Sequence, residues 1–347
     1  MISMMELDLK NIQWGEFKIS SIFQVEKGIY LNAKNIKKGN IPYISAKSTN
    51  NGLNSFIGNP YLFKGNKITI EKINLSAYYQ PSDFYCSHDV TVISHDKLNR
   101  YNAIFVCNMI NRQGFKYSYG RQAQMNICKN EIIYLPVNFQ GEPDYAFMEK
   151  YMKQKEQEKI KKFQDYIAKR IERVKGYKEV ELLDKKEWGE FFINELFSNI
   201  QRGKRLKKND HIKGRKPYVS SSAMNNGVDG FINNKEKVRI FKNCLSIANS
   251  GSVGSTFYQP FEYVASDHVT KLENPDFNEF VYLFISGLTS RLSEKYSFNR
   301  EINDKRIQRE KILLPIDSKG QPDYGYMENY IKKLEYEKLT KYLKIKQ

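Results

Sequence analysis

Ser87-His88-Asp89 and Ser266-Asp267-His268 contain the residue types of a nucleophile–base–acid relay, the chemistry of acyl transfer. Both triplets stand in runs that read as strand. Neighbouring side chains of a strand point to opposite faces, so consecutive residues build no relay. "PDYAFMEKYMK" (143–153) mimics the PD…ExK spacing of nucleases, but it opens a helix, and its counterpart has Asn329 where Lys150 stands. "NPYL" (59–62) holds one proline where adenine methyltransferases carry two, and no glycine-rich cofactor fingerprint follows a strand. The four histidines lack i,i+4 pairing, and Cys86, Cys107, Cys128 and Cys244 form no CxxC. That argues against a zinc site and for a reducing cytosol. No catalytic or metal-binding constellation is expected, and no cofactor held by this chain.

A different chemistry suits the remaining residues. "QRGKRLKKNDHIKGRK" (201–216) places Arg202, Lys204, Arg205, Lys207 and Lys208 beside Gly203, where backbone could approach phosphates. Its counterpart "EKGIYLNAKNIKKG" (26–39) keeps Lys27 and Gly28 and adds Tyr30. A solvated loop is the plain alternative. The preferred reading is phosphate contact, with an arginine able to reach guanine O6 and N7. "NSGSVG" (249–254) offers a thin loop with Ser250 and Ser252, against "EKINLS" (71–76) with Lys72 and no glycine. "KYSYGRQAQMN" (116–126) sets Tyr119, Arg121 and Gln124 against Phe298, Arg300 and Asn303 of "KYSFNREINDK" (295–305). Arg, Gln and Asn make bidentate base contacts, whereas the shared Lys116/Lys295 and the arginines could equally fix phosphates. Asn50-Asn51 and Asn225-Asn226, each followed by glycine, read as tight turns, as DNA-facing loops, or both.

The overall charge agrees with a polyanionic partner. The net charge is +17, with 27 basic and 17 acidic side chains in residues 1–180 and 29 and 22 in residues 181–347. Both halves are basic, as lysine-rich proteins can be for no functional reason, but 24 tyrosines favour a contact surface. No apolar run approaches the length of a membrane span, and "MISMMELDLKNIQW" lacks the order of a signal peptide. The expectation is a cytoplasmic protein with no membrane contact.

These residues recur because the chain is written twice. "IPYISAKSTNNGLNSFI" (41–57) answers "KPYVSSSAMNNGVDGFI" (216–232). Trp14-Gly-Glu-Phe answers Trp188-Gly-Glu-Phe, and "YQPSDFYCSHDVT" (79–91) answers "YQPFEYVASDHVT" (258–270). "IYLPVNFQGEPDYAFMEKYMK" (133–153) answers "ILLPIDSKGQPDYGYMENYIK" (312–332). The offset moves from 175 to 179, which reads as a four-residue insertion between about 233 and 246. Within each copy, "KITI", "VTVI" and "EIIYLPV" read as strands, and 101–112 and 277–288 as one buried helix each. Asp144 and Asp323 stand where helix N-caps belong. From Asp144 to about Lys175, apolar residues at 148, 151, 152, 160, 163, 167, 171 and 174 follow helical spacing. The predicted organisation is α+β. Two tandem α/β domains, 1–143 and 181–322, are separated by two long antiparallel helices, 144–180 and 323–347, in a pseudo-two-fold arrangement. Ile160, Phe163, Leu339 and Tyr342 are expected to be buried between those helices.

Two copies of "WGEF…IF…G", "PY(I/V)S…NNG…FI", "YQP…S(H/D)(D/H)VT", "KYS(Y/F)xR" and "GxPDYxxME", in one order over nearly the whole chain, resemble the specificity (S) subunits of restriction–modification systems. The likeness is to the HsdS type, and in particular to its BcgI-like branch. The resemblance implies two target recognition domains reading a bipartite double-stranded DNA site, and a coiled-coil spacer that docks methyltransferase or fused methyltransferase–nuclease subunits. S-adenosylmethionine, with or without magnesium, would then belong to the partner, which methylates adenine and in some systems cleaves. A stand-alone endonuclease and a sequence-blind nucleic-acid binder are the rival readings.

Overall fold

The computed structural model describes residues 7–346, and the chain divides into two compact units, 1–164 and 165–347. In the first unit, β1 (Trp14–Lys18), α1 (Ile19–Ile22) and β2 (Gln24–Lys27) lead to β3 (Ile41–Ile44) and β4 (Leu53–Ile57). Then come β5 (Lys67–Glu71), β6 (Ala77–Gln80), β7 (Tyr85–Cys86) and β8 (Val90–Ser94). Helix α2 (Arg100–Asn111), short α3 (Met125–Cys128), β9 (Ile132–Pro136) and long α4 (Tyr145–Val174) complete it. The order β2-β8-β5-β6 forms an antiparallel sheet, β4-β3-β7 a smaller mixed one, and β1 pairs with β9. Alternation in β5 and β8 turns Ile68, Ile70 and Ile93 toward Ala103, Val106 and Ile110 of α2, and these are almost wholly buried. Asn99 caps α2 through the Tyr101 and Asn102 amides.

The second unit repeats this plan. β10 (Trp188–Phe192), α5 (Ile193–Leu196), β11 (Asn199–Arg202), β12 (Lys213–Val219) and β13 (Val228–Ile232) precede a two-residue β14 (Ile240–Phe241), whose counterpart in the first unit is the single Phe63–Phe84 bridge. β15 (Cys244–Ala248), β16 (Thr256–Gln259), β17 (Tyr263–Ala265) and β18 (Val269–Glu273) follow. α6 (Glu279–Thr289), α7 (Asp304–Gln308), β19 (Lys311–Pro315) and α8 (Tyr324–Lys346) close the chain. Sheets β11-β18-β15-β16 and β13-β12-β17-β14 and the β10–β19 pair match their counterparts strand for strand, apart from β14.

The length difference lies in two places, not one. Two residues enter between the matched Ile57/Ile232 and Lys67/Cys244, around β14. Two more enter the next hairpin loop, which spans 71–76 in the first copy and 248–255 in the second. In sequence the two read as one gap because the strand between, β5 or β15, keeps only Ile70/Ile247 identical to mark the register.

Both long helices begin at the expected caps: the Phe147 amide donates to Asp144 Oδ1 at 2.9 Å and the Tyr326 amide to Asp323 Oδ1 at 2.8 Å. At about 1.5 Å per residue, α4 is roughly 45 Å long. None of the four side chains expected to be buried is fully so. Ile160, Phe163 and Tyr342 keep 43%, 47% and 38% of their surface exposed, and Leu339 is half-buried. The reason is a gap in the stripe, because "KQKEQEK" (153–159) supplies no apolar side chain between Met152 and Ile160. Met148 is buried against the first unit's core, whereas Ile167 and Val174 are buried in the second unit. There Arg170 grips Glu335 of α8 and Glu279 of α6, and the Lys178 amide donates to Asn329.

Candidate nucleic-acid interface

The two loops that leave β2 and β11 pass tightly against the β7–β8 and β17–β18 turns. A Cβ on Gly28 would lie 2.1 Å from the Ser87 carbonyl oxygen, and one on Gly203 would lie 2.1 Å from that of Ser266. The Gly203 amide donates to Val269 O at 2.8 Å. Glycine is therefore required by the chain's own backbone, and Gly203 does not open a way to phosphates. Nor are the Ser-His-Asp letters in strands: 87–89 and 266–268 are the turns themselves.

In the first unit, Lys27, Lys72 and Gln124 converge on one shallow depression with His88, Asp89, Thr91 and Met125. Lys72 Nζ lies 2.7 Å from Asp89 Oδ1 and His88 Nε2 lies 3.3 Å from it. Tyr30, 65% exposed, packs edge-on to His88 with ring centroids 5.3 Å apart. The Ala123 amide donates to the Lys72 carbonyl at 2.7 Å, which ties the α3 loop to this floor. Gln124 stands at the N-terminus of α3 with its side chain uncommitted to the cap. Nearby in sequence, Ser118 and Arg121 close a tight turn that presents Tyr119, 81% exposed.

The second unit arranges the equivalent residues differently. Arg202 is half-buried and donates to the Asp267 carbonyl, while Lys204, Arg205, Lys207 and Lys208 are exposed and form no ion pair among the described residues. Ser250 is buried and shares a 2.6 Å hydrogen bond with His268 Nδ1, so it is not a surface donor as expected. The Ser252 amide donates to Ser221 O, which ties this loop to the β12–β13 connection. Asn303 spends its side-chain oxygen capping α7 at the Arg306 amide, and Arg300 is exposed beside the Tyr296 ring. The Ile302 amide donates to the Asn249 carbonyl, so Asn249 occupies the place of Lys72.

Two expected groups turn out to hold the fold. Asn50, Asn51 and Gly52 have φ of 52°, 55° and 73°, and Asn225, Asn226 and Gly227 have 51°, 58° and 75°. Asn51 Nδ2 donates to Gln80 Oε1 and Gln80 Nε2 to Asn51 O, a lock repeated by Asn226 and Gln259. Asn225 and Asn226 border an apolar groove with Phe231 and Phe261 instead of a basic surface. Lys116 and Lys295, read as phosphate contacts, are paired to the buried carboxylates of Glu131 and Glu310, which also accept from Tyr117 and Tyr296. Burial, followed by that hydrogen bond, pushes the Tyr296 hydroxyl up to about 12. These clamps were invisible in sequence because Glu131 and Glu310 lie 15 residues from their lysines.

The four cysteines are buried and free, and burial pushes Cys86 and Cys128 up to about 12, far from a thiolate nucleophile. Among the described residues no His/Cys/Asp/Glu group could hold a metal ion, and no helix is long and apolar enough to cross a membrane.

Comparison with known proteins gives the geometry its context. The type I restriction modification DNA specificity domain matches twice, over residues 11–181 and 185–347. The chain is 29% identical over 333 residues to the type II restriction enzyme specificity subunit S.BcgI of Heyndrickxia coagulans, covering 93% of this chain and 95% of that one. The crystal structure of a type I restriction–modification S subunit from M. genitalium shares the fold. It matches at a TM-score of 0.53 with 18% identity, over 98% of this chain and 94% of that one. With one copy of the domain in each half, this chain belongs to the type I restriction–modification DNA specificity family.

Proposed function

We propose that the chain is the non-catalytic specificity subunit of a restriction–modification complex and reads a bipartite, asymmetric duplex site. One observation carries this reading. A single scaffold occurs twice, with its structural locks unchanged and with different polar residues at the equivalent turns. Phosphate contacts position a protein, whereas base contacts inform it. Lys27, Lys204, Arg205, Lys207, Arg121 and Arg300 supply the first class. Tyr30, Lys72, Tyr119, Gln124 and Asn303 stand beside them for the second. On this reading, α4 and α8 form the spacer on which a methyltransferase, or a fused methyltransferase–nuclease, docks. That partner holds S-adenosylmethionine, with magnesium where it also cleaves, and methylates adenine.

Selection from a random duplex pool tests the proposal. The expected result is two unlike half-motifs at a fixed separation; enrichment of no motif, or magnesium-dependent cleavage by the chain alone, overturns it. A second expectation concerns charge. Lys204, Arg205 and Lys207 face solvent with no ion pair among the described residues, so their joint replacement by Ala should lower the salt slope of binding by about two to three units. Titration of a duplex carrying only the second half-site, at several salt concentrations, measures this. An unchanged slope would remove these residues from the phosphate contacts.

A further inference from the structure

A carboxylate is out of place on a surface built for a polyanion, because it repels the phosphates its neighbours attract. Yet the β7–β8 turn carries Asp89 and the matched β17–β18 turn carries Asp267, in a chain of net charge +17. Their side chains keep 31% and 30% of their surface exposed. The flanking residues are the same in both copies: Ser87 and Ser266 before, Val90-Thr91 and Val269-Thr270 after. Between them the order is inverted, His-Asp in one copy and Asp-His in the other. Scaffold residues are held constant here while the two polar tips exchange places.

The inversion changes what each copy presents. In the first, Asp89 Oδ1 is anchored by Lys72 and His88, and no hydrogen bond from the described residues ends on Oδ2. That leaves a fixed acceptor in the depression that also holds Lys27 and Gln124. In the second, His268 is drawn to Ser250, and Asp267 has its imidazole Nε2 only at 4.0 Å. Asn249 replaces the lysine, and its carboxamide is fully buried with neither atom hydrogen-bonded. Thus the first copy offers a carboxylate paired to a lysine, whereas the second offers one with no lysine or arginine ion pair among the described residues.

Building on the DNA-recognition reading, we propose that Asp89 and Asp267 are specificity-determining acceptors. Each takes a hydrogen bond from the exocyclic amino group of one base in the major groove, cytosine N4 or adenine N6. A pure acceptor finds donors at those two positions and none on the major-groove edges of guanine or thymine. The same charge that repels phosphate then penalises a carbonyl oxygen at the read position, so the residue selects by rejection as well as by attraction.

The test is duplex selection with the full chain, wild type against Asp89→Ala, Asp89→Asn and Asp267→Ala. Asp89→Ala should reduce discrimination at one position of one half-site by about tenfold or more, with the other half-site unchanged. Asp267→Ala should do the converse. Asp89→Asn keeps the shape but adds a donor, and should admit a carbonyl-bearing base at that position. The untouched half-site reports folding within the same molecule, and the isosteric variant decides the matter if Asp89→Ala abolishes binding. Variants that enrich the wild-type motif in both half-sites overturn the assignment while leaving the DNA-recognition reading intact. A wild-type chain that enriches nothing overturns both.

Discussion

Replacing Gly203 by alanine should destabilise the second unit by about 3 kcal/mol, at the upper end of what an overpacked backbone contact costs. The added Cβ would meet the carbonyl oxygens of Ser266 at 2.1 Å and Ala265 at 2.5 Å. Both obstacles are backbone, so no rotamer change relieves them. Instead, the end of β11 must part from the β17–β18 turn, and the hydrogen bonds from Gly203 to Val269 and from Lys204 to Ala265 lengthen with it. That turn carries Asp267 and His268, so loss of stability should come with loss of the second half-motif and retention of the first. Gly28→Ala should give the mirror result, because its Cβ would lie 2.1 Å from Ser87 O and 2.6 Å from Cys86 O. Chemical denaturation and duplex selection on the two variants check this; wild-type stability in either would show that the approach relaxes freely.

Arg170→Ala is expected to cost about 2–3 kcal/mol. Its guanidinium donates through Nε and Nη2 to both oxygens of Glu335, at 2.7 and 2.6 Å, and through Nη1 to Glu279 at 3.1 Å. Side-chain exposures are 18% for Arg170, 22% for Glu335 and 15% for Glu279. Removing one partner of a fully buried pair costs about 3–5 kcal/mol, and partial exposure reduces that figure. Arg173 also reaches Glu279, at 3.1 Å, so Glu335 is the carboxylate left uncompensated. Hydrogen bonds to Glu335 hold the Arg170 guanidinium charged well beyond its ordinary range, so no pH change in the working range substitutes for the mutation. Lysine at this position keeps the charge but not the two-pronged geometry, and should recover only part of the loss. Hydrogen exchange over 165–174 and 324–344 is the measurement. Protection equal to wild type would mean that Ile167 and Val174 alone hold the segment.

Much of the architecture was legible because duplication doubles every signal. The strands at Ile68, Val90 and Ile133 and both capped helices stand where Ile- and Val-rich runs between turn residues, and Asp144 or Asp323, place them. Three features were not legible, each for a physical reason. Repeated letters mix scaffold with site: Asn51 forms the turn that its Asn-Gly signals, while Lys116 and Gly203, which read as contacts, satisfy the fold's own carboxylates and backbone. Heptad-like spacing marks apolar positions but not what covers them, and Phe163 remains 47% exposed. The third is the inverted His-Asp pair, visible as letters but dismissed for want of a relay. Its meaning depends on Lys72 being brought across the sheet to within 2.7 Å of Asp89. Likewise, the sequence placed Ser250 on the surface, where only the fold reveals its bond to His268.

The pairing of β1 with β9, Trp14 opposite Pro136, and of β10 with β19, Trp188 opposite Pro315, has an evolutionary consequence. In each copy the first strand of the globular part lies beside the last, so entrance and exit share one doorway. A segment bounded in this way can be cut out, copied or transplanted as a cassette while its interior remains undisturbed. A pair of crossovers, one within "WGEF" and one within "LP", would exchange an entire reading half between two genes. A modest pool of such cassettes would then yield many combinations of half-sites, a supply of new specificities that point mutation could match only slowly.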